Sequence, residues 1–190
     1  MALWNRREST SAGSPGVLVP ISPAIGHGVH SFRGWTESLS ITGRIRAEDR
    51  LSDSLNRREL LRVEGPVVRP SGGSGGAPYQ ALEMALDPFD LEVVLAPVDQ
   101  RTAEERGARR IHKVRYPVTI EAGQFEIHGV MHLFAGNAPE FAANHTSTLF
   151  FPVTEPRVYR GGRLISGPGD GVVLVNRYTI GRIVQVDAVH

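Results

Sequence analysis

Histidine, serine, carboxylate and arginine side chains are the groups here whose chemistry could define an activity, and their spacing decides which chemistries stand. There are seven histidines. His128 and His132 are the best metal pair, since a helix would bring residues four apart onto one face. They fall in a strand-type pattern, where four residues span ~13 Å, too far for one ion without a bulge. No metal site is expected. Serines are plentiful, but none stands in the Gly-x-Ser-x-Gly turn that activates a nucleophile. Ser71-Gly72-Gly73-Ser74-Gly75-Gly76 lacks the Lys-Ser/Thr end of a phosphate-binding loop and reads as a hairpin loop. Asp53 with Glu59, and Asp87 with Asp90, are carboxylate pairs that capping and turn formation also explain. The chain contains no cysteine, which removes disulfides, thiolate metal sites and cysteine nucleophiles. The expectation is a protein without catalysis or cofactor.

Arginine is the remaining chemistry. Lys113 is the only lysine, and net charge is +1 over 190 residues. Arginine makes forked and stacked contacts suited to protein or phosphate interfaces; codon bias is the competing explanation. Arg44, Arg46, Arg50, Arg57 and Arg58 form one cluster, and Arg106, Arg109 and Arg110 another. Interleaved Glu48, Asp49, Asp53 and Glu59 dilute the first, and few aromatics are placed for base stacking. Trp4, Arg6 and Arg7 lie in a Ser-, Gly- and Pro-rich opening segment, and Trp–Arg combinations are typical interface anchors. Trp4, Arg6, Arg7, Trp35, Arg57, Arg58, Asn176 and Arg177 are therefore the expected partner-binding residues.

The elements that must position them are strands. Leu39, Ile41, Gly43 and Ile45 alternate with Ser40, Thr42, Arg44 and Arg46, and Phe125, Ile127, Gly129, Met131 and Leu133 repeat the pattern. Leu51–Asn56 and Asn137–Asn144 each read as a short helical turn, the second longer by two residues. Apolar strands follow at Leu60–Val63 and Leu149–Val153, then at Val67-Val68 and Arg157–Tyr159. Next come glycine-rich loops, Ser71–Gly76 and Gly161–Gly171, and then Val93–Ala96 and Val172–Val175. The order recurs about 86 residues apart, as in a duplicated unit. Opening strands are expected near His30–Trp35 and Val114–Ile120. The chain is thus expected to be mainly β, as two tandem small β-barrel or curved-sheet domains. Residues 1–28 would be an extended N-terminal arm, 29–100 the first domain, 101–112 a linker carrying a short helix from Thr102, and 113–190 the second domain.

The Gly43-centred strand, the Leu51–Asn56 turn and the closing Val175-Asn176-Arg177-Tyr178-Thr179-Ile180-Gly181-Arg182-Ile183 resemble an Sm-like (LSM) arrangement. That family pairs a bent five-stranded barrel with an Asp…Asn loop that contacts RNA. The second copy lacks the acidic loop residue, and the first has Ala96-Pro97-Val98 where Asn176-Arg177 stand in the second. The chain is also similar to an uncharacterised group of small bacterial β proteins with an Arg-Leu-Ser-Asp-x-Leu-Asn-Arg stretch, here Arg50–Arg57. Hydrophobic content of 41% supports a real core, and no apolar run approaches the ~20 residues of a membrane span. Val17-Leu18-Val19-Pro20-Ile21 is too short and too proline-broken to be expected to serve as a signal-peptide core. The expected function is an accessory or scaffold subunit docked onto a larger protein assembly, in the cytoplasm or at the inner face of a membrane as an extrinsic subunit of a photosynthetic or respiratory complex. The alternative is an Sm-like RNA-binding regulator; a hydrolase with an unrecognised site ranks last.

Overall fold

The computed structural model describes residues 28–47, 50–71, 76–97, 113–142, 144 and 147–186. The expected arm (1–28, apart from Gly28), the tip of the glycine loop after β3 and the expected linker helix lie outside them.

Alternating burial along the chain gives a mainly β architecture. The first half comprises β1 (Val29–Trp35), β2 (Leu39–Arg46), a helical turn α1 (Leu51–Asn56), β3 (Leu61–Pro70), β4 (Tyr79–Gln80), β5 (Glu83–Leu86), a 3₁₀ turn (Pro88–Asp90) and β6 (Val93–Ala96). The second half comprises β7 (Lys113–Ala122), β8 (Phe125–Phe134), α2 (Pro139–Ala142), β9 (Phe150–Arg160), β10 (Arg163–Ser166), β11 (Val172–Asn176), a 3₁₀ turn (Arg177–Thr179) and β12 (Ile180–Gln185). All pairings are antiparallel. In the first half the neighbours run β6-β1-β2-β3-β5, in the second β12-β7-β8-β9-β11, with β4 also on β3 and β10 also on β9.

The halves therefore repeat strand by strand, and the detail matches the order. The β2–β3 ladder slips between Thr42 and Arg44, and the β8–β9 ladder slips between His128 and Val130. The residue at each slip is glycine, for one steric reason: a Cβ on Gly43 would lie 2.5 Å from Val63 Cγ1, and one on Gly129 2.5 Å from Val153 Cγ1. The close crossing lets β3 and β9 bend. Gly65, with φ of 56°, and Glu155, with φ of 53°, occupy corresponding bends in left-handed conformation. What reads in sequence as two strands in each half is accordingly one long bent strand.

Two sequence expectations are corrected. Of the expected barrel or curved-sheet units, closed barrels do not form: the described residues make one open twelve-stranded sheet, because the halves are joined through β6 and β11: Val172 faces Ala96, Val173 faces Leu95, Leu174 faces Val94 and Val175 faces Val93. And Val93–Ala96 and Val172–Val175, which look like copies of one strand, are partners. By order and pairing β6 corresponds to β12, and β11 to β5. Their apolar residues run without interruption because they feed a core on each face. Val94 and Leu174 join the first core with Phe32, Ile41, Leu55 and Val63; Val93, Val173 and Val175 join the second with Ile120, Ile127 and Val153. Each core borrows from the other half. Phe150 and Leu149 enter the first core, and Trp35 enters the second.

Candidate functional site

The joint between the halves is where most of the sequence-predicted residues that the structure describes converge. α1 turns Leu51 and Leu55 inward, one helical turn apart, and ends on Asn56. The Asn56 side chain then reaches the start of β9: its Oδ1 accepts from Leu149 N at 2.7 Å and Phe150 N at 2.8 Å. The next two residues leave the helix, with Arg58 in left-handed conformation (φ 62°). That turn directs its guanidinium to donate to the Ser147 carbonyl at 2.5 Å. On the other side of the same segment, Arg177 N donates to the Leu149 carbonyl at 2.8 Å.

Asn176 closes the joint. It is fully buried. Its Nδ2 donates to the Leu91 carbonyl at 2.7 Å and the Phe89 carbonyl at 3.4 Å, while Oδ1 accepts from Tyr178 N at 3.0 Å. The last bond caps the 3₁₀ turn. The same cap recurs in the first half, where Asp87 Oδ1 accepts from Phe89 N at 2.9 Å. Asp87, rather than the Ala96-Pro97-Val98 stretch, is thus the counterpart of Asn176.

The two matched caps bring two aromatic rings together. Phe89 and Tyr178 stack with centroids 6.0 Å apart, and Arg177 lies 4.5 Å over the Tyr178 ring, donating to its hydroxyl at 2.8 Å. Phe89 and Tyr178 are both exposed, as are Arg57 and Arg58 at the end of α1. The surface here presents an aromatic pair and guanidinium groups, held by the buried Asn176 amide and the half-buried Asn56 amide. Such a combination can grip carboxylates, phosphates or planar groups by forked hydrogen bonds and stacking. Tyr178 and Phe89 were missed as site residues; the signal was the repeated Asx-x-aromatic turn, Asp87-Pro88-Phe89 and Asn176-Arg177-Tyr178.

Two of the expected partner-binding residues are used internally instead. Trp35 is 4% exposed, with its ring edge-on to Phe125 at 6.1 Å and Arg33 over it at 4.9 Å. It seals the two halves together, so an external partner does not reach it. Asn176 has its amide consumed by Leu91, Phe89 and Tyr178. Trp4, Arg6 and Arg7 lie outside the described residues.

A second polar group, unannounced in the sequence except as a charge breaking the apolar run from Leu91 to Ala96, sits beside Trp35. Glu92 is buried, and its Oε2 has no hydrogen-bond partner among the described residues. Burial pushes its carboxyl above the usual carboxylate range; the Arg160 cation opposes this and Glu37 reinforces it. Arg160 donates to the Glu37 carbonyl at 2.6 Å and to Gln124 Oε1 at 3.1 Å, and lies 5.0 Å over the Phe125 ring. Burial lowers its own pKa from the ordinary arginine value. These contacts tie the β1–β2 turn to the β7–β8 turn, again across the joint.

The histidine pair is occupied separately. His128 bonds Thr119 Oγ1 at 3.1 Å and Glu126 Oε1 at 2.6 Å, and His132 bonds Thr154 Oγ1 at 2.8 Å. Burial and the Arg115 and Lys113 charges lower the His132 pKa. A cleft of about 300 Å³ over the β7–β8 turn is lined by Glu121, Gln124, Glu126 and Tyr159 among others.

Fold and site together define a duplicated antiparallel β protein with an arginine–aromatic surface over its joint. Compared with known proteins, the chain matches no family, no curated protein and no solved structure.

Proposed function

We propose that this chain is a non-enzymatic accessory or scaffold subunit, built from two small Sm-like β units fused through one joint, that docks onto a larger protein assembly. The observation that carries this reading is the surface of exposed Arg57, Arg58, Phe89 and Tyr178 with half-buried Arg177 against the Tyr178 ring, set over the joint. Arginine and tyrosine dominate interface hot spots because each offers large contact area with few rotamers to freeze or with a preorganised fork. A partner presenting carboxylates around an apolar pocket fits that surface. We place the subunit in the cytoplasm, where it would serve as an extrinsic component of a membrane complex. No helix among the described residues is long and apolar enough to cross a membrane.

The test is native electrophoresis of gently lysed host cells, comparing the wild type with Arg57→Glu/Arg58→Glu and with Tyr178→Ala. Stoichiometric migration with a large complex is expected for the wild type and its loss in both variants. Unchanged migration in both, and in a chain lacking residues 1–28, would reject the reading.

The stacked Phe89–Tyr178 pair beside Arg177 also favours a second reading, an RNA-binding regulator, because base stacking on exposed aromatics contributes ~1–3 kcal/mol per base. Filter binding to single-stranded RNA across a salt series separates the two. Phosphate contacts give a steep loss of affinity with salt, and a protein-docking subunit gives no retained RNA.

A further inference from the structure

The internal joint has a counterpart that the described residues of one chain leave unmade. β11 pairs with β6. The strand corresponding to β11 is β5, which among the described residues pairs with β3 alone; the strand corresponding to β6 is β12, which pairs with β7 alone. Both correspondences carry the same offset: Val172–Val175 lie 89 positions after Glu83–Leu86, and Arg182–Gln185 lie 89 after Val93–Ala96. The two unpaired edges are thus the complementary halves of a contact whose geometry the molecule already contains once.

We infer that the chain associates head to tail with further copies of itself, the β12 edge of one copy pairing antiparallel with the β5 edge of the next. Transferring the register of the internal joint sets Glu83 opposite Gln185, Met84 opposite Val184, Ala85 opposite Ile183 and Leu86 opposite Arg182. The apolar residues stand where this contact needs them. Phe150 is 1% exposed because it packs into the opposite half across the joint; its counterpart Leu60, just before β3, is 69% exposed. Leu82, beside β5, is 95% exposed, and Val184 and Val186 are exposed at the β12 end. Asn144 stands where the repeat sets the counterpart of Asn56 and is exposed, available to accept from the backbone of Glu59 and Leu60 in the next copy as Asn56 does from Leu149 and Phe150.

A contact using two different surfaces is heterologous, so each copy keeps one edge open for another. An unpaired edge is itself a template for a strand of matching register. The second joint is weaker than the first, because Arg182 replaces Val93 and Ala85 replaces Leu174, leaving less apolar area to bury. Association is therefore reversible and concentration-dependent. This inference rests on the internal repeat and is independent of the docking surface at Arg57, Arg177 and Tyr178.

The experiment is sedimentation velocity on the purified full chain from the micromolar to the millimolar range. The wild type is expected to rise above its monomer mass of 20.7 kDa. Leu60→Asp blocks one end and Val184→Asp the other; both residues are exposed, so each variant is expected to unfold thermally as the wild type does. Each variant alone stays monomeric. An equal mixture forms dimers and nothing larger, since each partner supplies the one end the other lacks. Leu82→Asp and Val186→Asp replace either variant that fails to fold. A wild type that stays at monomer mass throughout overturns the inference, as does a mixture that stays monomeric. Association that persists in both single variants means that other surfaces are used and equally overturns it.

Discussion

The two halves repeat the same chain path with different residues at matched positions, and the differences separate what builds the fold from what joins it. At the two ladder slips, where close packing leaves no room for a Cβ, the residue type is kept: Gly43 and Gly129 stand there, with Val63 and Val153 packed against them. Where only one half takes part in the joint, the pair diverges. Phe150 is buried across the joint and Leu60 is exposed. Asn176 caps and donates, while Asp87 only caps. Trp35 fills the second core, while the corresponding position of β7 is held by Glu121, which pairs with Arg182. A position's burial here is set by whether a neighbour covers it, more than by its place in the repeat.

Substitutions at matched positions test this asymmetry directly. The largest effect belongs to Phe150→Ala, expected to cost ~3–5 kcal/mol for a fully buried aromatic, against less than ~0.5 kcal/mol for Leu60→Ala in dilute solution. Urea denaturation of the two variants measures both, and comparable losses would show that the halves are equally buried. Asn176→Asp ranks next, at ~3 kcal/mol. It keeps the cap acceptor but turns a donor into a carboxylate facing the Leu91 carbonyl. Asp87→Asn, the reverse exchange on the exposed side, is expected to change stability by less than ~0.5 kcal/mol.

The left-handed bends give a smaller and opposite pair. Gly65→Ala is expected to destabilise by ~1 kcal/mol, because a Cβ is disfavoured at its φ of 56°. Glu155→Gly relieves that strain at φ 53° but gives up the Arg115–Glu155 ion pair of 2.5 Å. Exposed pairs contribute little, so a net gain of up to ~1 kcal/mol is expected for this variant. Thermal unfolding of both distinguishes a shared backbone requirement from a local accident.

The most modest effect is the pH dependence of Glu92. Its folded-state pKa is raised by burial, so the folded protein holds this proton more tightly than the unfolded chain does. Stability from this group is full below the unfolded carboxylate range and is lost as pH rises through the folded value. Glu92→Gln is expected to raise stability at neutral pH by ~1 kcal/mol and to flatten the slope between mildly acidic and neutral pH. An unchanged slope would assign the pH dependence to other groups.

The mainly β class and the repeat were legible in the residues alone. Period-two alternation marked β2 and β8, Leu51–Asn56 was legible as the short helical turn α1, and matched order marked the duplication, because these patterns survive in any tertiary context. Arg57 and Arg58 were legible as surface groups by their chemistry alone. Only the tertiary structure decided that Val93–Ala96 and Val172–Val175 are partners in one sheet, that Trp35 and Asn176 face inward, and that neither half closes on itself. Alternation reports that one face of a strand is covered and is silent about what covers it. A continuous apolar run such as Val93–Ala96 does report burial on both faces, yet which strand lies alongside depends on pairing between segments some 80 residues apart, and that pairing exists only once the chain has folded.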